Sequence, residues 1–280
     1  MPELPEVETV RQTLQPKLAG LKFCGVQVYL PKMIKTPEPE QFIKEIDGKK
    51  IVKLSRRGKY LILNLSDQYT LVVHLRMTGS LVYCENGDPL SKHTHVVFNL
   101  SNGAQLRFTD IRQFGQLWLV PNASLDSLSG LKNLGVEPLE SQFTRDYLKK
   151  ELRNRHARIK PLLLDQTIIA GLGNIYTDEA LHRAKINPER LATTLTPREI
   201  ASLYNAIRAV LQEGIENKGT TFRNFIDGEG RASHAPTAGR SSSRKRWAGA
   251  APITALLARK PNKTSQPLIG RNQRLSAPID

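Results

Sequence analysis

The apolar positions of this chain change period three times. Between residues 3 and 18, Leu4, Val7, Val10, Leu14 and Leu18 recur at helical spacing and predict one helix with a single apolar face. From about 21 to 120 the period shortens. KYLILNL, YTLVVHL, SLVY, HVVFNL and AQLRFTD alternate or carry β-branched residues, and Asn102-Gly103 between two of them predicts a tight hairpin. Many short strands with turn signals predict an antiparallel sandwich or barrel. Helical spacing returns over 144–217, in RDYLKKELRN, NIYTDEALHRA and PREIASLYNAIRAVLQEGIE, after a linker at 121–143. Beyond about 227, SHAPTAGRSSSRKRWAGAAP has little periodicity and is expected to be disordered. The expected fold class is therefore α+β and multidomain. An N-terminal helix and antiparallel β-sandwich occupy 1–133, a helical domain occupies 134–227, and a basic tail occupies 228–280.

Charge adds a partner to this outline. The 280 residues carry 41 Lys and Arg against 26 Asp and Glu, a net +15, which points to a polyanion and first to nucleic acid. A merely basic protein is the bland alternative. Residues 228–280 hold ten basic and two acidic residues, so the tail contributes +8 and the rest +7. Cys24 and Cys84 are too few for a disulfide framework or a four-cysteine zinc site, and they fit a reducing cytosol. The acidic N-terminus lacks a secretory pattern, and no stretch approaches the roughly 20 apolar residues of a membrane helix. A cytoplasmic protein with no membrane partner is expected.

Candidate chemistry begins at the N-terminus, MPELPEVETVR. Removal of Met1 would expose the secondary amine of Pro2, whose pKa of about 8 leaves much of it unprotonated near neutrality. Such an amine attacks an electrophilic carbon to form a cationic imine, and Glu3 beside it can move a proton. The same residues also describe an ordinary acid-rich helix start. Glu3, Glu6 and Glu8 suit the positive end of the helix dipole, and Pro2 and Pro5 are tolerated in a first turn. The dipeptide alone favours this second reading.

The longer pattern shifts the balance. MPELPEVETVR, RRGKYL, HLRMTGSL, KHTH, TDIRQFG, KPLLLDQ, AGLGNIYTDEAL and KGTTFRNF follow one another across about 1–226. In that order they resemble the bacterial formamidopyrimidine-DNA glycosylases, which excise oxidised purines. Endonuclease VIII relatives share the architecture, but their usual N-terminus differs. The resemblance implies a helix-two-turn-helix domain at 134–227 and a bifunctional glycosylase/lyase acting on duplex DNA that contains 8-oxoguanine, formamidopyrimidines or abasic sites. It makes Pro2 the nucleophile at C1′, Glu3 its acid/base and Lys59 a helper at the adjacent phosphate, with β- and then δ-elimination following. His74 matches a phosphate contact. Met77, Arg112 and Phe114 match side chains that fill the gap left by an extruded base, as the cost of unstacking requires. His93, Arg155, Lys160 and Asn174 match further DNA contacts, and Thr220 and Thr221 match a loop near the extruded base.

The residues themselves allow blander readings: a solvated Lys59, core packing for Met77 and Phe114, and a structural His93. Gly171 and Gly173 are expected to permit a tight turn, with the amides at the start of the following helix as a phosphate site. Arg76 stands where many members of the family have glycine. A monomer is expected.

The resemblance stops near Arg231. The family usually ends in a zinc finger with two C-x-x-C pairs, and no cysteine follows Cys84. His234 alone is not a zinc site, so no cofactor is expected. Arg271 is the nearest candidate for the finger arginine, but no flanking motif supports it and the role is not carried over. Either a zincless finger or a shifted reading frame near Arg231 would account for the tail, and the scarcity of alternating apolar residues favours the latter. The alternative function is a catalytically impaired damaged-DNA-binding protein.

Overall fold

The computed structural model describes residues 1–85, 87–153 and 155–219. Thr220, Thr221, Arg271 and the whole of 228–280 lie outside the described residues.

Helix α1 (Leu4–Leu18) forms where the apolar spacing predicts it. Glu3 is its N-cap, and the Glu3 backbone N–H donates to the Glu6 carboxylate at 2.9 Å, satisfying a donor that the helix start leaves over. The buried face splits between two cores. Val7, Val10, Leu14 and Leu18 pack into the sandwich, whereas Leu4 packs among the C-terminal helices. One short helix thus belongs to both halves, and its first residue crosses the join.

The sandwich contains β1 (Phe23–Val28), β2 (Ile34–Thr36), α2 (Pro39–Ile46), β3 (Ile51–Arg57), β4 (Tyr60–Leu65), β5 (Tyr69–His74), β6 (Gly79–Cys84), β7 (Thr94–Leu100), β8 (Gln105–Asp110) and β9 (Gln116–Pro121). One sheet runs β1-β7-β8-β6 and the other β2-β9-β5-β4-β3. All pairs are antiparallel except β2 with β9, which are far enough apart in sequence for a parallel crossover. Phe23, Phe98 and Phe108 fill the space between the sheets. Helix α2 closes one end by burying Phe42 and Ile46, a helix hidden from the pattern by its two apolar positions in a β-rich region. The Asn102-Gly103 hairpin joins β7 to β8, with Gly103 in the left-handed region at φ +85°.

The connection to the helices contains α3 (Ser129–Lys132) and ends in a clasp. Glu137 accepts from Arg56 at 2.7 Å, from Arg57 at 3.0 Å and from the Gly58 amide at 2.6 Å. Arg57 also donates to the carbonyls of Leu134 and Gly135. Then follow α4 (Arg145–Arg153), α5 (Ile159–Leu164), α6 (Asn174–Ala184) and α7 (Pro197–Glu216). Two turns separate α5 from α6. Gln166 holds them by donating to the carbonyls of Leu164 and Leu172 while accepting from the Gly171 amide. Helix α7 starts sharply because Thr196 and Glu199 cap each other around Pro197. Among the described residues no helix is long and apolar enough to cross a membrane.

Candidate active site

The start of α1 meets the start of α6. Glu3 is 2% exposed, and its carboxylate accepts from the amides of Gly173 at 2.8 Å, Ile175 at 2.9 Å and Tyr176 at 3.3 Å. These amides have no partner within their helix and lie at its positive end, so a buried anion is well placed there. They are the amides that the sequence offered to a DNA phosphate. Glu3 takes these three, and no bond to Glu3 is made by the amide of Asn174.

The two glycines explain how Glu3 arrives. A Cβ on Gly173 would lie 2.4 Å from the Glu3 carboxyl carbon, so Gly173 serves close approach rather than a turn. Gly171 does turn, at φ +92°, and a Cβ there would lie 2.7 Å from Leu4. The Leu4 amide donates to the Gly171 carbonyl at 3.0 Å, which draws the N-terminal segment onto α6.

Lys59 sits in the two-residue turn between β3 and β4 and is 7% exposed, which removes the solvated-lysine reading. Burial pulls its pKa down, and the charges of Glu3 and Glu6 oppose that shift. Burial pushes the Glu3 carboxyl up, against the pull of the three amides and of Lys59. A carboxyl raised in this way approaches the range in which it can both take and give a proton. The Glu137 clasp fixes the turn that carries Lys59.

His74 ends β5 and is 7% exposed. Burial, reinforced by the charges of Arg76 and Lys59, lowers its pKa to about 3, so the ring is neutral. Its Nδ1 accepts from the Arg76 amide at 2.9 Å, which assigns the proton to Nε2. His74 can therefore meet a phosphate as a hydrogen-bond donor, not as a cation. Arg76 itself is held at φ +56°, a left-handed conformation that favours glycine, and its guanidinium donates to Gln116.

Met77 is 41% and Phe114 50% exposed, so neither packs in the core. The Arg112 guanidinium lies over the Phe114 ring, 4.9 Å from its centre. One buried residue organises all three. The Asp110 carboxylate accepts from the amides of Arg112, Phe114 and Gly115 at 3.1, 2.8 and 2.7 Å, and from the hydroxyl of Thr78 next to Met77.

A cleft of about 500 Å³ opens between these parts, lined by Pro2, Glu6, Met77, His93, Ile111 and Ile175 among others. His93 is half-buried just ahead of β7, and its carbonyl accepts from the Asp110 amide. Asn174 is the exposed first residue of α6. Arg155 and Lys160 lie apart from the cleft lining, paired with Glu151 at 3.3 Å and Asp178 at 2.7 Å. Sequence reading gave no site role to Glu6, Tyr176, Asp110 or Glu137. The first three lie inside quoted motifs, which was the available signal. Glu137 lies in the linker and had none.

The two cysteine pairs that the resemblance implies are not in this sequence, in which no cysteine follows Cys84. Its two cysteines lie in the sandwich, Cys24 exposed and Cys84 buried. Among the described residues no group of three His, Cys, Asp or Glu could hold a metal.

A β-sandwich joined to a two-turn helical unit, with Met77 exposed at a cleft that Pro2 and Glu6 also line, is the arrangement of a DNA-binding repair glycosylase. The comparisons agree. The formamidopyrimidine-DNA glycosylase N-terminal domain matches residues 1–117, and the formamidopyrimidine-DNA glycosylase H2TH (helix-two-turn-helix) domain matches 134–225. The formamidopyrimidine-DNA glycosylase of Pelotomaculum thermopropionicum is 72% identical over 234 residues, covering 84% of this chain and 85% of that protein. That of Desulforamulus reducens is 56% identical over 233 residues, covering 83% and 84%. Among solved structures, the Lactococcus lactis protein with Fapy-dG-containing DNA is 38% identical, with a TM-score of 0.75 over 79% of this chain and 82% of that one. The same protein with abasic-site DNA is 39% identical, with a TM-score of 0.75 over 79% and 81%. The chain belongs to the formamidopyrimidine-DNA glycosylase family.

Proposed function

We propose that this DNA glycosylase removes oxidised purines, 8-oxoguanine and formamidopyrimidines, from duplex DNA and then cleaves the strand. The observation that carries the reading is the buried Glu3, gripped by three amides of α6 next to Pro2 and within the field of Lys59. Once Met1 is removed, the Pro2 nitrogen attacks C1′ of the damaged nucleotide. The N–C1′ bond forms, the bond to the base breaks and the base leaves with that electron pair. Glu3 moves the accompanying proton. The sugar ring then opens: the nitrogen lone pair forms the second bond to C1′, the C1′–O4′ bond breaks and O4′ takes up a proton. The iminium so formed acidifies the neighbouring sugar carbon, and successive proton losses expel first one phosphate and then the other. Lys59 and His74 hold phosphate beside the lesion, and His93, Arg155, Lys160 and Asn174 hold DNA further out. Met77, Arg112 and Phe114 occupy the gap in the duplex, and Thr220 and Thr221 act near the extruded base. DNA-bound relatives carrying a Fapy-dG or an abasic site support this substrate class. The protein acts as a cytosolic monomer without a cofactor.

Borohydride reduction tests the mechanism. A covalent adduct should be trapped on a duplex with 8-oxoguanine opposite cytosine, and mass analysis of the reduced adduct should place the DNA on the Pro2 nitrogen. An adduct carried by a lysine overturns the assignment. One observation favours a second reading, a damage-binding protein with impaired turnover: no cysteine follows Cys84, so the usual second DNA grip lacks its zinc ligands. Multiple turnover on lesion DNA by the full chain would exclude it.

A further inference from the structure

Tyr176 holds both acids of the N-terminal segment. Its amide donates to the Glu3 carboxylate at 3.3 Å, and its hydroxyl donates to the Glu6 carboxylate at 2.9 Å. Glu6 in turn accepts from the Glu3 amide at 2.9 Å. That amide belongs to the peptide linking Pro2 to Glu3, so whatever fixes Glu6 also fixes the plane that carries Pro2. Tyr176 is 3% exposed, and burial together with the two carboxylates raises its pKa strongly, so the phenol keeps the proton it donates.

The missing side chain at Gly214 leaves room for the hydroxyl. Gly214 lies in the last turn of α7, where glycine is still a poorer helix former than alanine. A Cβ there would lie 2.6 Å from Cε1 and 2.7 Å from the hydroxyl of Tyr176. An unfavourable helix residue thus stands where any side chain would displace the phenol from Glu6. Gly219, just past α7, closes on the other side, since a Cβ on it would lie 2.9 Å from the Glu6 Cγ.

We infer that Tyr176 is a positioning residue for the nucleophile: seated on Gly214, its hydroxyl fixes Glu6, and Glu6 orients the peptide that aims the Pro2 nitrogen. The inference rests on the proposed role of Pro2 and adds to it a line of contacts from α7 to the reacting atom. Tyr176 is buried and does not line the cleft. Its contribution is the orientation that keeps the amine in line with C1′, the kind of placement on which near-attack geometry depends.

The test uses the full chain and reads base release and borohydride trapping in single turnover, with affinity for a duplex carrying an uncleavable abasic analogue measured alongside. Tyr176→Phe, which removes one oxygen, should slow both base release and trapping by about tenfold, the scale of one lost hydrogen bond to a charged group. Affinity should stay within about twofold, because binding groups elsewhere are untouched. In the Glu6→Gln background, Tyr176→Phe should have little further effect, since the two act in series. Gly214→Ala should reproduce the loss from the opposite side of the ring, and it serves if Tyr176→Phe does not fold. Base release at the parental rate in Tyr176→Phe, or full additivity with Glu6→Gln, would overturn the inference. Absence of trapping by the parent would instead count against Pro2, and base release alone would then judge Tyr176.

Discussion

Alanine at position 173 separates the chemistry of Glu3 from its placement. The backbone at Gly173 (φ −130°, ψ −163°) is open to any residue, so the substitution adds no strain of its own. Its effect comes from the new Cβ, 2.4 Å from both the carboxyl carbon and Oε1 of Glu3. The carboxylate is the freer of the two groups and must retreat by about 1 Å to reach ordinary contact, which stretches the bonds from Gly173 and Ile175 beyond hydrogen-bonding range. Glu3 keeps its charge but loses its grip on α6. If Glu3 moves the proton, misplacing it should slow base release by about 10²- to 10⁴-fold, the usual contribution of a positioned acid/base group. That corresponds to about 3–5 kcal/mol of barrier. Loss of hydrogen bonds to a buried charge should also lower stability by about 2 kcal/mol. Single-turnover release of 8-oxoguanine measures the first quantity and urea unfolding the second. Glu3→Gln is the companion, because it keeps the shape and removes the charge. If Gly173→Ala releases base within about threefold of the parental rate, the amide grip has no part in catalysis and the reasoning fails.

Three further outcomes follow from the same structure. His74 is neutral when folded, with a pKa near 3, but binds a proton below about 6.5 when unfolded. Its contribution to stability is therefore present above about pH 6.5 and lost as pH falls towards 3, by up to about 4–5 kcal/mol. Urea melts at pH 7 and pH 4.5 should show a larger acid loss in the parent than in His74→Gln, and equal losses would refute this. Asp110→Asn places a donor against amides that already donate, so it should destabilise by about 2–3 kcal/mol and weaken binding to lesion duplex through the Arg112–Phe114 loop; unchanged affinity in a filter-binding assay would contradict it. Glu137→Ala leaves Arg57 without its carboxylate and Arg56 with Glu8 alone, at 3.4 Å, and should cost about 3 kcal/mol, with base release slowed because the Lys59 turn loses its anchor. A melting temperature matching the parent's would show that the clasp contributes nothing.

Much of this protein was written in local pattern. The period of apolar residues located α1, α6, α7 and the principal strands, because burying one face of a helix or strand needs only neighbours in sequence. The motifs marked Pro2, Glu3, Lys59, Met77, Arg112 and Phe114 before any contact was known. Helix α2 stayed hidden because its two buried residues, Phe42 and Ile46, were all the sandwich needed from it. The meaning of the glycines was also hidden. Gly173 read as a turn residue, yet its role is to let a carboxylate from the other end of the chain, at residue 3, reach α6. Asp110 and Glu137 were silent because a carboxylate in a sequence does not show which donors will surround it: Asp110 gathers the amides of the loop that follows it together with Thr78, and Glu137 gathers the distant turn at 56–58. Periodicity reports which face of an element is buried. Only the tertiary structure decides what meets that face, because the packing that buries Glu3 and so raises its pKa, keeps His74 neutral and holds Tyr176 against Glu6 joins residues far apart in the chain.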